Sequence, residues 1–125
     1  MKILVIDDER DIEPLFRQQF SKEMKAERID FHFAYSANEA LEYLGEADRA
    51  EVVLILADIH LPDMNGLELL RMLKERNPAI RVFMITVYGG DDNYRKAIEY
   101  GADEFICKPI DFKKLKEKIS DMDAG

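Results

Sequence analysis

The sequence has few of the features that mark disulfide-bonded, secreted or membrane-spanning chains. Cys107 is its single cysteine, which excludes an internal disulfide. The longest apolar stretch, Val52 to Ala57, is far shorter than the ~20 residues that cross a bilayer, and the N-terminus lacks the layout of a signal peptide. We therefore expect a cytoplasmic protein with no membrane partner.

An excess of basic residues is also missing. The chain carries 26 acidic against 18 basic side chains, a formal net charge of −8, which opposes the electrostatic attraction that nucleic-acid binders use. We expect no direct nucleic-acid binding. A length of 125 residues with 47% hydrophobic and 35% charged residues is typical of one folded domain, here residues 1–125.

The lone Cys107 lies in an apolar run before Lys108. No neighbouring group marks it as an activated thiol. We interpret it as a small buried hydrophobic residue, the common role of a free cysteine.

Five short apolar runs alternate with five segments of helical periodicity. The runs are Ile3–Ile6, Phe31–Ala34, Val52–Ala57, Arg81–Val87 and Glu104–Cys107. The apolar positions of the intervening segments are Ile12, Leu15, Phe16 and Phe20; Ala37, Ala40, Leu41 and Leu44; Leu67, Leu70 and Leu73; Tyr94, Ala97 and Ile98; and Phe112, Leu115 and Ile119. The alternation predicts a three-layer, doubly wound (βα)5 fold of the α/β class, with a five-stranded parallel sheet buried under helices on both faces.

Polar residues close four of the five predicted strands. The first strand is followed by Asp7–Glu9, the third by Asp58, the fourth by Thr86 and the fifth by Lys108. Ligands of open α/β sheets bind beyond the carboxyl ends of the strands, so these side chains are expected to share one crevice. Each feature alone is common, since acidic pairs often cap helices and a lysine is usually a solvated charge, but their conjunction favours a functional site.

The residue types indicate phosphoryl chemistry with a hard metal ion. Asp7, Asp8 and Asp58 would repel one another unless a divalent cation neutralised them, and oxygen ligands favour Mg²⁺, for which Mn²⁺ could substitute. The Asp58 carboxylate can act as a nucleophile toward phosphorus. Lys108 can balance charge on the phosphoryl oxygens, and the Thr86 hydroxyl can donate a hydrogen bond to one of them.

Four separated landmarks resemble the receiver domain of bacterial two-component response regulators. They are Val5–Glu9 (VIDDE), Asp58–Gly66 (DIHLPDMNG), Thr86, and Cys107–Pro109 (CKP). The resemblance covers essentially the whole chain, and it implies the flavodoxin-like strand order 2-1-3-4-5. It also implies that Asp58 accepts a phosphoryl group from a phosphohistidine on a histidine kinase or a histidine phosphotransfer protein.

The resemblance also implies a set of metal ligands. Asp8 and Asp58 would bind Mg²⁺ directly, Asp7 through water, and His60 through its backbone carbonyl rather than its imidazole. Lys108 would pair with the phosphoryl group, and the Lys108–Pro109 peptide would be cis. Asn65–Gly66 would make the turn into the third helix.

A conformational switch is the last feature that the resemblance implies. Thr86 would move toward the phosphoryl oxygens and so open space for the aromatic side chain of Phe105 to turn inward. Many relatives have tyrosine at that position, whereas this chain has phenylalanine and therefore lacks the hydroxyl. Bulk at His60 and Tyr88 is expected to modulate the lifetime of the phosphoryl group by restricting the attacking water.

Three alternative functions stay open at this point. A pseudo-receiver would act as an interaction module without phosphorylation, and an aspartyl-phosphate hydrolase of the haloacid dehalogenase type would expect a second aspartate where His60 stands. A flavin carrier would need a hydroxyl- and glycine-rich cradle where Asp7–Arg10 stands. The cognate kinase, the output partner or domain, and a homodimer formed on phosphorylation are also open, as is whether the chain is a complete regulator or part of a longer one.

Overall fold

The computed structural model describes residues 1–46, 51–87 and 90–124 and contains one five-stranded parallel sheet. The strands are β1 (Lys2–Ile6), β2 (Asp30–Ala34), β3 (Val52–Asp58), β4 (Arg81–Thr86) and β5 (Glu104–Cys107). The helices are α1 (Ile12–Gln19), α2 (Ser21–Lys25), α3 (Ala37–Leu44), α4 (Gly66–Arg76), α5 (Asp91–Glu99) and α6 (Phe112–Ala124). The strand order is β2-β1-β3-β4-β5, which confirms the predicted α/β fold and its order.

Each face of the sheet is covered by its own hydrophobic core. Successive residues of a strand point to opposite faces, so Leu4 and Ile6 pack with α3 and α4, while Ile3 and Val5 pack with α1 and α6. The near-continuous apolar runs of the sequence follow from this burial on both sides. Within the described residues no helix is long and apolar enough to cross a membrane.

The first helical segment differs from the sequence prediction in two ways. The chain leaves α-helical geometry at Phe20 (φ −106°) and continues as the short helix α2, which the periodicity had not separated from α1. Leu15 is 39% exposed, whereas Ile12, Phe16 and Phe20 are buried. At 100° per residue, Leu15 lies at the edge of the stripe that these three residues form, which explains its exposure.

A similar correction applies to α5. Ala97 is fully buried as predicted, but Tyr94 and Ile98 are about half exposed. At about 100° per residue, Tyr94 and Ile98 both lie to the same side of Ala97, away from the centre of the buried face. The spacing therefore predicts the helix but does not fix the width of its buried face.

Side-chain hydrogen bonds cap the starts of α3, α4 and α6. The Ser36 hydroxyl accepts from the Glu39 N–H at the start of α3, and the Glu39 carboxylate accepts from the Tyr35 N–H. The Asn65 side chain accepts from the Leu67 N–H at the start of α4, and Asp111 accepts from the Lys114 N–H in α6. These caps fix where the helices start beside the carboxyl edge of the sheet.

Candidate functional site

The candidate site lies where the strand order reverses, beyond the carboxyl ends of β1 and β3. These two strands are neighbours in the sheet, and their register pairs Ile6 with Ala57. Asp7 and Asp58 follow these paired residues directly, so the sheet itself brings their two carboxylates side by side. A reversal of this kind opens the crevice in which α/β proteins bind ligands.

Buried polar residues are concentrated at this edge. Across the described ranges, the buried polar or charged residues are Asp7 (4% exposed), Asp58 (7%) and Thr86 (0%). Desolvation of a polar group is costly unless it is compensated, so three such groups at one edge indicate a use other than stability.

Lys108 joins the two buried carboxylates. Its Nζ donates to Asp7 Oδ2 at 2.7 Å and to Asp58 Oδ2 at 2.9 Å. Burial alone would lower the pKa of the Lys108 ammonium, but the hydrogen bonds and charges of Asp7 and Asp58 outweigh burial and raise that pKa above its ordinary value. Lys108 therefore carries a positive charge throughout the neutral pH range.

The backbone places Lys108 at this point. Its N–H donates to the Thr86 carbonyl at 2.8 Å, which extends the pairing of β4 with β5 by one residue. The Lys108–Pro109 peptide is cis.

Three carboxylates form a cluster that suits a hard cation. Single oxygens of Asp7, Asp8 and Asp58 all lie within 4.8 Å of one another, and Asp8 is exposed at the mouth of the site. Three carboxylates and the one Lys108 ammonium leave two negative charges uncompensated, which a divalent ion such as Mg²⁺ would balance. The donor set of the cluster therefore fits the predicted metal.

The segment from Ile59 to Asn65 forms a tight loop next to Asp58. The His60 N–H donates to Asp58 Oδ1 at 3.0 Å, and His60 forms an isolated antiparallel bridge with Asn65. The Gly66 N–H donates to the Ile59 carbonyl at 2.6 Å. The His60 backbone carbonyl, a predicted metal ligand, therefore lies in a loop whose two ends are joined by hydrogen bonds. His60 itself is an exposed residue.

Gly66 is required by a close approach of α4 to the end of β3. A Cβ on this residue would clash with the backbone oxygen of Asp58 and would lie only 2.7 Å from the Ile59 Cα. The sequence predicted Asn65–Gly66 as a turn into the helix, but it gave no sign that this glycine packs directly on the backbone of Asp58.

The two predicted switch residues lie on neighbouring strands. Thr86 ends β4 and is fully buried, and Phe105 in β5 is half-buried. The Phe105 ring packs edge-on against Tyr94 of α5, with 5.5 Å between ring centroids. Tyr88, the second predicted lifetime modulator, falls outside the described residues.

Cys107 contradicts the sequence prediction, because it is exposed. It ends β5, which lies at the edge of the sheet formed by the described residues, so on one side it has no neighbouring strand whose side chains could pack against it. An apolar run identifies a strand but does not distinguish an edge strand from a central one.

Asp63 is a site-loop residue that the sequence reasoning missed. Its carboxylate accepts from the N–H groups of Ala37 and Asn38, at 2.9 and 2.8 Å. These residues are 26 and 25 positions earlier in the chain, so no local pattern of the sequence could have revealed the contact.

A parallel sheet of this order, with an acidic cluster and a bridging lysine at its carboxyl edge, defines a signalling receiver module. The chain belongs to the response regulator receiver domain family, whose model matches residues 3–120.

Curated relatives agree with this family. The chain is 37% identical over 119 residues to the response regulator protein PilR of Pseudomonas aeruginosa, covering 95% of this chain but 25% of that protein. It is 30% identical over 120 residues to a cyclic di-GMP phosphodiesterase of Thermotoga maritima, covering 96% of this chain and 30% of that protein. The sporulation initiation phosphotransferase F of Bacillus subtilis is 30% identical and matches over 94% of this chain and 90% of its own length. The chain therefore spans only a quarter to a third of the first two relatives and most of the third.

Solved structures agree as well. A CheY-like response regulator receiver domain from Methanospirillum hungatei superposes with a TM-score of 0.84 at 31% identity, covering 97% of this chain and 91% of that one. A receiver domain from Clostridium thermocellum has a TM-score of 0.84 at 28% identity, covering 96% and 91%.

Proposed function

We propose that residues 1–125 work as a phosphoacceptor switch that takes a phosphoryl group onto Asp58 from a phosphohistidine of a kinase or phosphotransfer protein. The observation that carries this proposal is the pair of contacts from Lys108 to Asp7 and Asp58 inside the buried carboxylate cluster. A receiver domain has a phosphodonor partner.

The transfer needs an oxygen nucleophile and charge balance. An oxygen of Asp58 attacks the phosphorus, the phosphorus–nitrogen bond to the donor imidazole breaks, and the imidazole leaves with the electron pair and takes up a proton. Lys108, protonated at neutral pH, balances charge on the phosphoryl oxygens, and the Thr86 hydroxyl donates to one of them.

Asp8, Asp58 and the His60 carbonyl would hold Mg²⁺, with Asp7 acting through water. When bound, the ion supplies positive charge to the phosphoryl oxygens. The chemistry of the donor set supports Mg²⁺ over zinc or copper, because oxygen atoms make up the whole cluster.

The test is phosphorylation by phosphoramidate or acetyl phosphate, with and without Mg²⁺, followed by intact-mass measurement. The expected result is a gain of one phosphoryl group that requires the metal ion. A protein that gains no phosphoryl group under either condition would instead support the pseudo-receiver, and steady turnover of phosphate esters would support a hydrolase.

Phe105 can be made to report the proposed switch. The chain has no tryptophan, so Phe105→Trp introduces a single indole on the edge strand. Phosphorylation is expected to shift the indole emission to shorter wavelength, because an inward rotation removes the ring from water. The same variant carrying Asp58→Asn is the control, and an identical shift in that control would contradict the switch.

His60 is expected to lengthen the lifetime of the phosphoryl group. Its side chain belongs to an exposed residue two positions after Asp58, where bulk restricts the approach of water. His60→Ala should speed dephosphorylation several-fold, measured as the decay of the phosphorylated mass after the donor is removed. Tyr88→Ala is expected to speed dephosphorylation in the same way. If either variant decays at the rate of the parent, the residue replaced in it does not prolong the lifetime of the phosphoryl group.

A further inference from the structure

The loop that follows Asp58 is attached at its tip to a helix from another part of the chain. Asp63 Oδ1 accepts from the Ala37 N–H at 2.9 Å, and Asp63 Oδ2 accepts from the Asn38 N–H at 2.8 Å. These are the first two residues of α3. One carboxylate therefore makes both of these hydrogen bonds between the tip of the loop and the helix.

The contact complements the local cap of α3 and does not duplicate it. The first N–H groups of a helix have no partner within the helix. The Ser36 hydroxyl accepts from Glu39, which leaves the Ala37 and Asn38 N–H groups for Asp63. Ser36 thus caps the helix from within its own segment, whereas Asp63 caps it from the functional loop.

The charge of Asp63 suits this position. Burial tends to raise the pKa of its carboxyl, but the N–H groups of Asn38 and Ala37 outweigh burial and hold the pKa below its ordinary value. Asp63 is therefore ionised at neutral pH, and a carboxylate at a helix N-terminus is stabilised by the helix dipole.

The base of the loop is held in a different way. The Gly66 N–H donates to the Ile59 carbonyl, and His60 bridges to Asn65. The Gly66–Ile59 contact joins the start of the loop to the start of α4, and Leu61 and Met64 of the loop pack against the core. Asp63, between His60 and Asn65 in the sequence, adds an attachment to a separate element.

We propose that Asp63 is a positioning residue: by clamping this loop to α3, it orients the His60 carbonyl toward the metal position and couples the first turn of α3 to metal binding. The inference rests on the proposed function, because it concerns the same Mg²⁺ site. Groups that orient metal ligands affect metal affinity without touching the ion. Coupling is reciprocal, so an ion that needs the clamped loop must also strengthen the clamp.

The experiment compares two ways of weakening the start of α3 in the full chain. Asp63→Ala removes the clamp and its cap, whereas Ser36→Ala removes a cap of the same helix without touching the loop. Mg²⁺ affinity is measured by titration of backbone amide shifts in NMR spectra. We expect Asp63→Ala to weaken Mg²⁺ binding on the order of tenfold, in the range typical of such residues, and Ser36→Ala to leave it close to the parent value.

Hydrogen exchange supplies a readout that needs no phosphorylation. Mg²⁺ should slow exchange of the Ala37 and Asn38 amides in the parent protein and in Ser36→Ala. The slowing should be lost in Asp63→Ala. If Asp63→Ala does not fold, Asp63→Asn replaces it, because one amide oxygen cannot make both contacts in the geometry of a carboxylate, and a smaller loss of affinity is expected.

The outcomes separate the inference from the proposed function. Equal losses of affinity in Asp63→Ala and Ser36→Ala would show a general effect of helix capping and overturn the inference. The inference would also be overturned if Asp63→Ala bound Mg²⁺ as tightly as the parent, or if Mg²⁺ did not slow amide exchange of Ala37 and Asn38 in the parent. The phosphoacceptor function would stand in either case. A parent protein that binds no Mg²⁺ would overturn both.

Discussion

Replacing Asp58 by asparagine is expected to abolish the Mg²⁺-dependent phosphoryl adduct while the protein stays folded. The amide has nearly the shape of the carboxylate, and its oxygen can still accept from the His60 N–H. It is a far weaker nucleophile, and its neutral oxygen is a poorer ligand for a hard divalent ion. Phosphorylation should therefore fail at the step of bond formation.

The measurement is the intact mass after incubation with phosphoramidate and Mg²⁺, alongside thermal unfolding of both proteins. Asp111→Asn is a matched control, because it makes the same chemical change at an aspartate that caps α6 outside the carboxylate cluster. Asp111→Asn should be phosphorylated like the parent. An undiminished adduct in Asp58→Asn would place the phosphoryl group on another residue.

Replacing Gly66 by alanine is expected to destabilise the protein by about 1 to 3 kcal/mol, in the range of substitutions that overpack a site and force backbone shifts. The new methyl group would clash with the Asp58 carbonyl and approach the Ile59 Cα, both of which are backbone atoms that cannot rotate away. The end of β3 and the start of α4 would have to separate, which would displace the Asp58 side chain from Lys108.

Gly45→Ala is the matched control for this prediction. Gly45 follows α3 with ordinary helical angles (φ −78°, ψ −11°), and a Cβ there would lie 3.4 Å from its nearest neighbours. Its substitution should change the free energy of unfolding in urea by less than about 1 kcal/mol. Equal midpoints for the parent and Gly66→Ala would contradict the close approach described above.

The sequence predicted those parts of the site that lie at the ends of strands. In a parallel sheet the carboxyl ends of the strands meet at one edge, so polar residues at those ends are brought together whatever the helices do. Asp7, Asp58, Thr86 and Lys108 are residues of this kind. Their proximity follows from the strand register alone.

The features that escaped prediction depend on the placement of elements relative to one another. The contact from Asp63 to α3 joins a loop to a helix that precedes it by about 25 residues. The close approach at Gly66 depends on the distance between α4 and β3, and the exposure of Cys107 depends on β5 being an edge strand. Periodicity and capping signals describe one element at a time, so they contain no information on these distances.

The exposed thiol of Cys107 offers practical access to the site. It is the single cysteine of the chain and the last residue of β5, so a maleimide dye would attach at one known position on that strand without any prior mutation. Because the Lys108 N–H and the Thr86 carbonyl are hydrogen-bonded at this point, the label would sit on the same pair of strands as the proposed switch.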